Sequence, residues 1–248
     1  DGAAELLVLC TPVAANAEIV RSAAARGVQA VFCAAGGYSE AGPDGAGAED
    51  QLVTLAEELG VILAGPNGQG VVSTPVSLCA QIVAPFPPTG RIAVVSQSGN
   101  FVSSFLNYAN QTGVGVSRAV SAGNAAAMGV ADYLEWFADD PETEVALCYL
   151  EGLTDGRDFF ERVREVTRLM PVVVVKGGTT VGGQRAAASH TGSLANDDRI
   201  FNGMARQAGL VRAANIESAF EAAATFATQP LPAGNRIVVL STAGGWGV

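Results

Sequence analysis

Basic residues are scarce in this chain: 14 lysines and arginines stand against 24 aspartates and glutamates, a formal net charge of −10 over 248 residues. Holding a nucleic-acid backbone takes clustered Lys and Arg, so this balance speaks against such a partner. It leaves phosphate-bearing ligands open, because main-chain N–H groups at a helix start hold a phosphate without basic side chains. Charge of either sign is thin: 15% of the residues are charged, where average soluble domains carry roughly 25%. With 49% hydrophobic residues the chain is the reverse of a disordered one, and a coiled coil is excluded with it. Histidine occurs once, and the four cysteines, Cys10, Cys33, Cys79 and Cys148, form no C-x-x-C pair. That falls short of the ligand spacing of a zinc site. Most of the cysteines sit in apolar, strand-like runs, where a free thiol acts as a small buried hydrophobe, and a reducing cytoplasm is the expected setting. No stretch reaches the ~20 apolar residues of a membrane span; the run Val172 to Val175 stops at Lys176. No signal-peptide pattern is present, and the first residues read as strand, so the start reads as a cut.

What is present is an alternation of short apolar runs with helical periodicity. Strand-like runs are Leu6 to Cys10, Val28 to Ala34, Val61 to Ala64, Arg91 to Ser96, Val116 to Ser121, Val145 to Leu150, Pro171 to Lys176 and Arg236 to Ser241. Helical patterns cover Ala15 to Arg26, Ala48 to Leu59, Phe101 to Gln111, Asp132 to Ala138, Arg157 to Leu169 and Ile216 to Ala227. Continuous apolar strands separated by helices predict an α/β fold whose parallel sheet is covered on both faces. An internal echo suggests where units begin: Pro88-Thr89-Gly90-Arg91-Ile92 and Pro232-Ala233-Gly234-Asn235-Arg236-Ile237 each lead into an apolar strand and a small-residue turn. Two buried strands with turns can look alike without meaning more. Taken as domain starts, they divide the chain into residues 1–87, 88–229 and 230–248, the last being the first strand of a third α/β domain. Pro85, Pro87 and Pro88 fit a linker.

Three places could carry chemistry. Ser96-Gln97-Ser98-Gly99-Asn100 follows a buried strand and opens a helix, so unpaired N–H groups and the positive end of the helix dipole make an anion cradle there. Ser and Asn also cap helices that bind nothing. His190, the single histidine, lies in Ala188-Ser189-His190-Thr191-Gly192-Ser193 with Gly182-Gly183 before it, a composition of loops rather than packed helix faces. A lone histidine is often a satisfied or exposed one; a neutral imidazole is also a competent nucleophile toward phosphorus. Glu151 stands at the carboxyl end of the strand Val145 to Leu150, where open α/β sheets place their sites. It could orient an imidazole through a hydrogen bond, or simply favour a helix start. The turns Gly65-Pro66-Asn67-Gly68-Gln69-Gly70 and Gly36-Gly37 allow close backbone approach or merely reverse the chain.

Together these residues resemble the NDP-forming acyl-CoA synthetases, that is, ADP-forming acetate–CoA ligases and the α subunit of succinyl-CoA synthetase. The resemblance rests on Val95-Ser96-Gln97-Ser98-Gly99, Tyr149-Leu150-Glu151-Gly152 and above all Ala188-Ser189-His190-Thr191-Gly192-Ser193-Leu194-Ala195, with Gly65-Pro66-Asn67 and Ala243-Gly244-Gly245 in support. It implies a Rossmann-like CoA-binding domain truncated at its N-terminus, followed by a flavodoxin-like doubly wound domain. The implied reaction interconverts acyl-CoA, ADP and phosphate with carboxylic acid, CoA and ATP through an acyl phosphate and a phosphohistidine. On that resemblance His190 is the phosphorylated nucleophile, Glu151 holds its imidazole, and the amides of Ser98, Gly99 and Asn100 bind the travelling phosphoryl group. Ser103 and Asn124 are expected at the acyl substrate, and Pro12, Ala35, Gly36, Gly37 and Asn67 at CoA. No metal ligands are expected in the chain. ATP or ADP with Mg2+ would be bound by an ATP-grasp module, on a β-type subunit or elsewhere on a longer polypeptide, in an oligomer with no nucleic-acid or membrane partner.

Two departures from the family pattern stand out. Gly68 occupies a position often held by Cys, and Ala125-Ala126-Ala127-Met128-Gly129 replaces acidic residues after Gly123-Asn124. A competing reading, from a different class, is the CoA-sensing ligase-like region of a protein lysine acetyltransferase; such a sensor has no need of a nucleophile, so His190 favours the enzyme.

Overall fold

The computed structural model describes residues 4–82, 85–179 and 197–246. The strands are β1 (Leu6–Leu9), β2 (Ala30–Cys33), β3 (Ile62–Ala64), β4 (Gly70–Ser73), β5 (Leu78–Gln81), β6 (Thr89–Ser96), β7 (Val116–Ser121), β8 (Val145–Leu150), β9 (Val172–Lys176) and β10 (Val211–Arg212). The helices are α1 (Val13–Ala24), α2 (Pro43–Leu59), α3 (Gly99–Thr112), α4 (Val130–Asp139), α5 (Gly156–Val166), α6 (Asp198–Ala208) and α7 (Ile216–Thr228). A small parallel sheet runs β1-β2-β3, and a seven-stranded sheet runs β10-β9-β8-β6-β7-β4-β5. In the larger sheet β6 to β10 are parallel, while β4 and β5 add an antiparallel hairpin at the β7 edge.

Alternate residues of the central strands feed two separate cores, which is why these strands read as unbroken apolar runs. Ile92, Val94, Leu147 and Val173 pack with Phe101, Phe105 and Leu106 of α3 and Phe220 of α7 on one face. Ala93, Val95, Cys148 and Val174 pack with Leu134 and Phe137 of α4, Val163 of α5 and Phe201 of α6 on the other. Parallel strands of this kind, with helices on both faces, leave their carboxyl ends open for a site. The strand order reverses between β6 and β8, whose following helices cover opposite faces, so the switch point of the doubly wound sheet lies at the ends of these two strands.

Local chemistry explains where helices differ from their periodic patterns. α2 begins at Pro43, ahead of the expected Ala48, because proline at the first helical position gives up no needed N–H. α5 opens on Asp155, whose carboxylate accepts the N–H groups of Arg157 and Asp158 at 2.9 Å each. α6, not recognised from its periodicity, buries Phe201, Ala205 and Ala208 and is capped by Asp197, so the acidic pair Asp197-Asp198 marks its start.

Three expectations are corrected. The hairpin Gly70–Gln81, read with the first unit, pairs into the larger sheet through β7. The apolar run Arg236 to Ser241 forms no strand among the described residues, and Ile237 to Leu240 are 69–97% exposed; strand propensity makes no ladder without an edge to pair. Of the cysteines, Cys33 and Cys148 are buried but Cys10 and Cys79 are exposed. Burial pushes the Cys148 thiol up to about 12, which keeps it inert.

The two sheets are joined by main-chain contact. Asn124 N–H donates to Pro66 O at 2.9 Å and Ala126 N–H to Gly65 O at 3.1 Å. Gly123 has φ +58°, and a Cβ there would meet Pro66 O at 2.1 Å. Gly68 is equally tight: a Cβ would lie 2.4 Å from Ser121 O and 2.6 Å from the Phe32 ring. The close approach at this junction leaves no room for a side chain at position 68. Gly123→Ala should destabilise the protein by about 1–3 kcal/mol, measured as a lower midpoint in urea unfolding; an unchanged midpoint would mean that the close approach is not maintained in solution.

Candidate functional site

At the end of β6 the turn into α3 is built by Ser96, whose buried hydroxyl accepts the Ser98 N–H at 2.9 Å and donates to Ser98 O at 2.7 Å. The Ser98 side chain makes no capping bond to the helix. Among the described residues, the N–H groups of Gly99 and Asn100 have no acceptor, so the open donors of this turn are theirs and the Ser98 N–H is already committed. At the end of β8 the main chain of Glu151 is held on both sides. Its N–H donates to Gln97 Oε1 at 2.7 Å, and its carbonyl accepts Lys176 Nζ at 2.7 Å. Gln97 also binds Gly152 through both ends of its amide.

Ser98, Gly99, Asn100 and Glu151 line one cleft of about 760 Å³, together with Asn67 and Gln69 from the turn after β3 and Gly177 and Gly178 after β9. It lies at the switch point, beyond the carboxyl ends of β6 and β8. His190 lies outside the described residues; the chain that leads to it leaves β9 through Gly177 and Gly178, on this cleft.

The positions expected at CoA stand at the carboxyl ends of the smaller sheet's strands. Pro12 follows β1 and caps α1. Ala35, Gly36 and Gly37 follow β2, where Ala35 O accepts the Asn67 N–H at 2.9 Å. A Cβ on Gly36 would lie 3.3 Å from Asn67 Oδ1, and one on Gly37 would lie 3.1 Å from Val13. Ala35, Gly36, Gly37 and Asn67 are thus brought together, with Pro12-Val13 beside them.

Ser103 and Asn124, expected at the acyl substrate, both bond to residues of the turns at this junction. Ser103 Oγ donates to Gln69 Oε1 at 2.9 Å. Asn124 Nδ2 donates to Glu40 Oε2 at 2.6 Å and Glu49 Oε2 at 2.7 Å, with Ser39 Oγ at 3.1 Å, and its Oδ1 accepts from Asn67 at 3.2 Å. The second oxygen of Glu40 takes the N–H groups of Gly37 and Tyr38 at 2.5 and 3.2 Å. Burial alone would raise the Glu40 carboxyl, but the Asn124 amide and the Gly37 N–H outweigh it and hold Glu40 below the usual carboxylate range. A carboxylate whose folded value is depressed stabilises fully above its unfolded value, near 4.5, and loses that contribution as the pH falls through the folded value. Glu40→Gln should therefore flatten the acid limb of thermal stability below about pH 4.5 relative to the parent; identical acid limbs would show that this bond is not maintained.

Three residues of the cleft and one that bonds to it, Lys176, are given no role by the sequence. Gln69 covers Gly99, where a Cβ would lie 2.3 Å from its side chain, and its Nε2 donates to Asn100 Oδ1 at 3.3 Å. Gln97 is a neutral amide inside a turn. Tyr149 stands with its hydroxyl 2.6 Å from a Cβ placed on Gly177. Lys176 ends an apolar run, and only the clamp on Glu151 reveals its part. Among the described residues, no group of three or more His, Cys, Asp or Glu could hold a metal ion, and no helix is long and apolar enough to cross a membrane.

Comparison with known proteins shows the family and the fold. Residues 89–226 match the family described as succinyl-CoA ligase like flavodoxin domain. The α subunit of acetate–CoA ligase (ADP-forming) I from Pyrococcus furiosus is 37% identical, over 98% of this chain and 53% of its own length. The corresponding ligase I of Archaeoglobus fulgidus is 38% identical, over 98% of this chain and 35% of its own length. A solved structure of the dinucleotide-forming acetyl-coenzyme A synthetase 1 of Ca. Korarchaeum cryptofilum, in complex with phosphate and ADP, superposes with a TM-score of 0.91 at 32% identity, covering 98% of this chain and 53% of that one. The chain thus spans about half, or less, of the relatives it matches. An α/β sheet of flavodoxin-like order, the family match over residues 89–226 and 37% identity to a relative over 98% of the chain place it among the NDP-forming acyl-CoA synthetases, in the succinyl-CoA ligase-like flavodoxin family.

Proposed function

We propose that this chain is the acyl-CoA and phosphate half of an ADP-forming acyl-CoA synthetase. Phosphate attacks the acyl carbonyl carbon and displaces the CoA thiolate, leaving an acyl phosphate. The imidazole of His190 then attacks phosphorus, and the carboxylic acid leaves as its carboxylate. The phosphohistidine passes its phosphoryl group to ADP, held with Mg2+ by an ATP-grasp module that belongs to a β-type subunit or to another part of the same polypeptide.

One observation carries this reading: the open amides of Gly99 and Asn100 and the strand-end Glu151 line a single cleft that also receives the start of the His190 segment. Phosphoryl transfer asks chiefly for positioning and for charge stabilisation. The helix start supplies the second, since main-chain donors and the dipole favour an oxyanion without a basic side chain. Glu151 supplies the first by accepting one N–H of the imidazole, which fixes the other nitrogen as nucleophile. The turns around Gly36, Gly37 and Asn67 bring CoA to the same cleft from the smaller sheet, and the Asn124–Glu40 bond keeps that turn in register with the larger one.

The test is to incubate the full-length protein with its nucleotide-binding partner, acetyl-CoA and labelled phosphate, omitting ADP. The expected product is one acid-labile, base-stable phosphoryl adduct per chain, discharged as labelled ATP when ADP is added. Formation of ATP without any such adduct would overturn the proposal.

A further inference from the structure

Lys176 is the only lysine of the chain; the other 13 basic residues are arginines. It is 5% exposed at the end of β9. Its ammonium donates to two main-chain carbonyls, Glu151 O and Gly177 O, both at 2.7 Å. An ammonium has three N–H groups, so one remains, and no carboxylate comes within ion-pair distance among the described residues. Burial lowers its pKa, and the carboxylates of Asp198 and Glu151, acting through space and opposed by Arg212, do not make up the loss. Residues 180–196, which continue from this strand end, contain neither Asp nor Glu, so that stretch has no carboxylate to offer. A buried cation normally has a counter-charge.

Lys176 borders a second cleft, of about 690 Å³, whose lining also includes Thr179, Asp198, Asn202, Arg206 and Arg212. It lies between α6 and the carboxyl ends of β9 and β10 and shares no lining residue with the cleft of Glu151, to which Lys176 is nonetheless bonded. Arg212 is held in place by an ion pair to Asp198 and by the Phe201 ring, 5.4 Å from its guanidinium carbon. Arg206 has no ion partner among the described residues. Its place in the last turn of α6 suits the helix dipole, but that does not account for Lys176 or Arg212, which lie on strands. Three cations therefore face one carboxylate in a protein whose net charge is −10, and the excess of two positive charges matches a dianion. Asn202 and Thr179 add neutral donors.

We propose that this second cleft is an anion site that takes a phosphate group, separate from the helix-start cradle of α3. Free phosphate and the phosphates of a nucleotide share the chemistry that these residues recognise, and the volume admits either. The proposal does not require the phosphohistidine reading, because the cleft's charges and buried lysine stand whether or not His190 is phosphorylated.

Equilibrium dialysis of the full-length protein against labelled phosphate, and separately against labelled ADP, tests it in the absence of acyl-CoA. Arg206 is exposed, so Arg206→Ala leaves the fold intact; Gly99→Ala perturbs the α3 cradle instead. The expected result is an Arg206-dependent component, weakened about ten- to hundredfold in Arg206→Ala and retained in Gly99→Ala. Its appearance with phosphate identifies the free ion as occupant, and its appearance only with ADP identifies a phosphate ester. A component lost in Gly99→Ala but untouched in Arg206→Ala would overturn the second site while leaving the first. An Arg206-dependent component that acetate displaces as well as phosphate would overturn the assignment to phosphate.

Discussion

His190→Ala is expected to abolish both phosphoryl labelling and ATP formation, while acyl phosphate still forms and the released CoA thiol appears at no more than one equivalent. A side chain that itself carries the transferred group has no substitute, because its role is a covalent bond and not an electrostatic contribution that neighbours can share. Under the proposed function the variant separates two halves of the reaction: attack of phosphate on the acyl carbon, which would call on the Gly99 and Asn100 amides, and transfer to the imidazole. Quantifying thiol release and labelled adduct in the same sample checks this. Label persisting in His190→Ala would place the phosphoryl group on another residue.

Glu151→Gln should slow labelling by about two to four orders of magnitude without weakening phosphate binding. The carboxylate is expected to fix the imidazole tautomer and to stabilise the positive charge that develops as the ring attacks phosphorus; an amide can present the wrong end and brings no charge. The structure makes this substitution a clean one. The main chain at position 151 is fastened by Gln97 Oε1 on its N–H and by Lys176 Nζ on its carbonyl, two bonds that the substitution leaves in place. Single-turnover labelling by rapid quench, with Glu151→Asp as the conservative control, gives the rate. Equal rates for Gln and Glu would remove position 151 from the transfer step.

The features legible in the sequence are those that repeat or that interrupt a repeat. Unbroken apolar runs at Arg91 to Ser96, Val145 to Leu150 and Pro171 to Lys176 announced buried parallel strands, and the small-residue turn after Ser96 and the acid after Leu150 fell at strand ends, where the fold gathers its site. The hairpin Gly70–Gln81 is not legible, because its strands mix Ser, Cys and Gln with Val and carry no alternation strong enough to fix their partner. The roles of Gln69 and Gln97 are hidden for a different reason: a neutral amide acquires its role only from the groups that folding brings to it. Nor are the bonds of Ser103 to Gln69 and of Asn124 to Glu40 and Glu49 legible, because they join segments far apart in the chain. Arg236 to Ser241 shows the converse, an apolar run whose composition is that of a strand and which finds no ladder among the described residues.

The antiparallel hairpin β4–β5 bears on how this protein can be dissected. It belongs by sequence to the stretch before Pro85, yet it shields the flank of β7 from solvent and from other molecules. An excised fragment beginning at Pro88 would bare the N–H and C=O groups of that flank, an invitation to self-association. A fragment ending at Pro87 would carry a two-stranded flap with nothing to rest on. Recombinant halves cut between residues 82 and 88 should aggregate or need each other in solution, whereas a cut placed ahead of Gly70 keeps the flap with its host sheet.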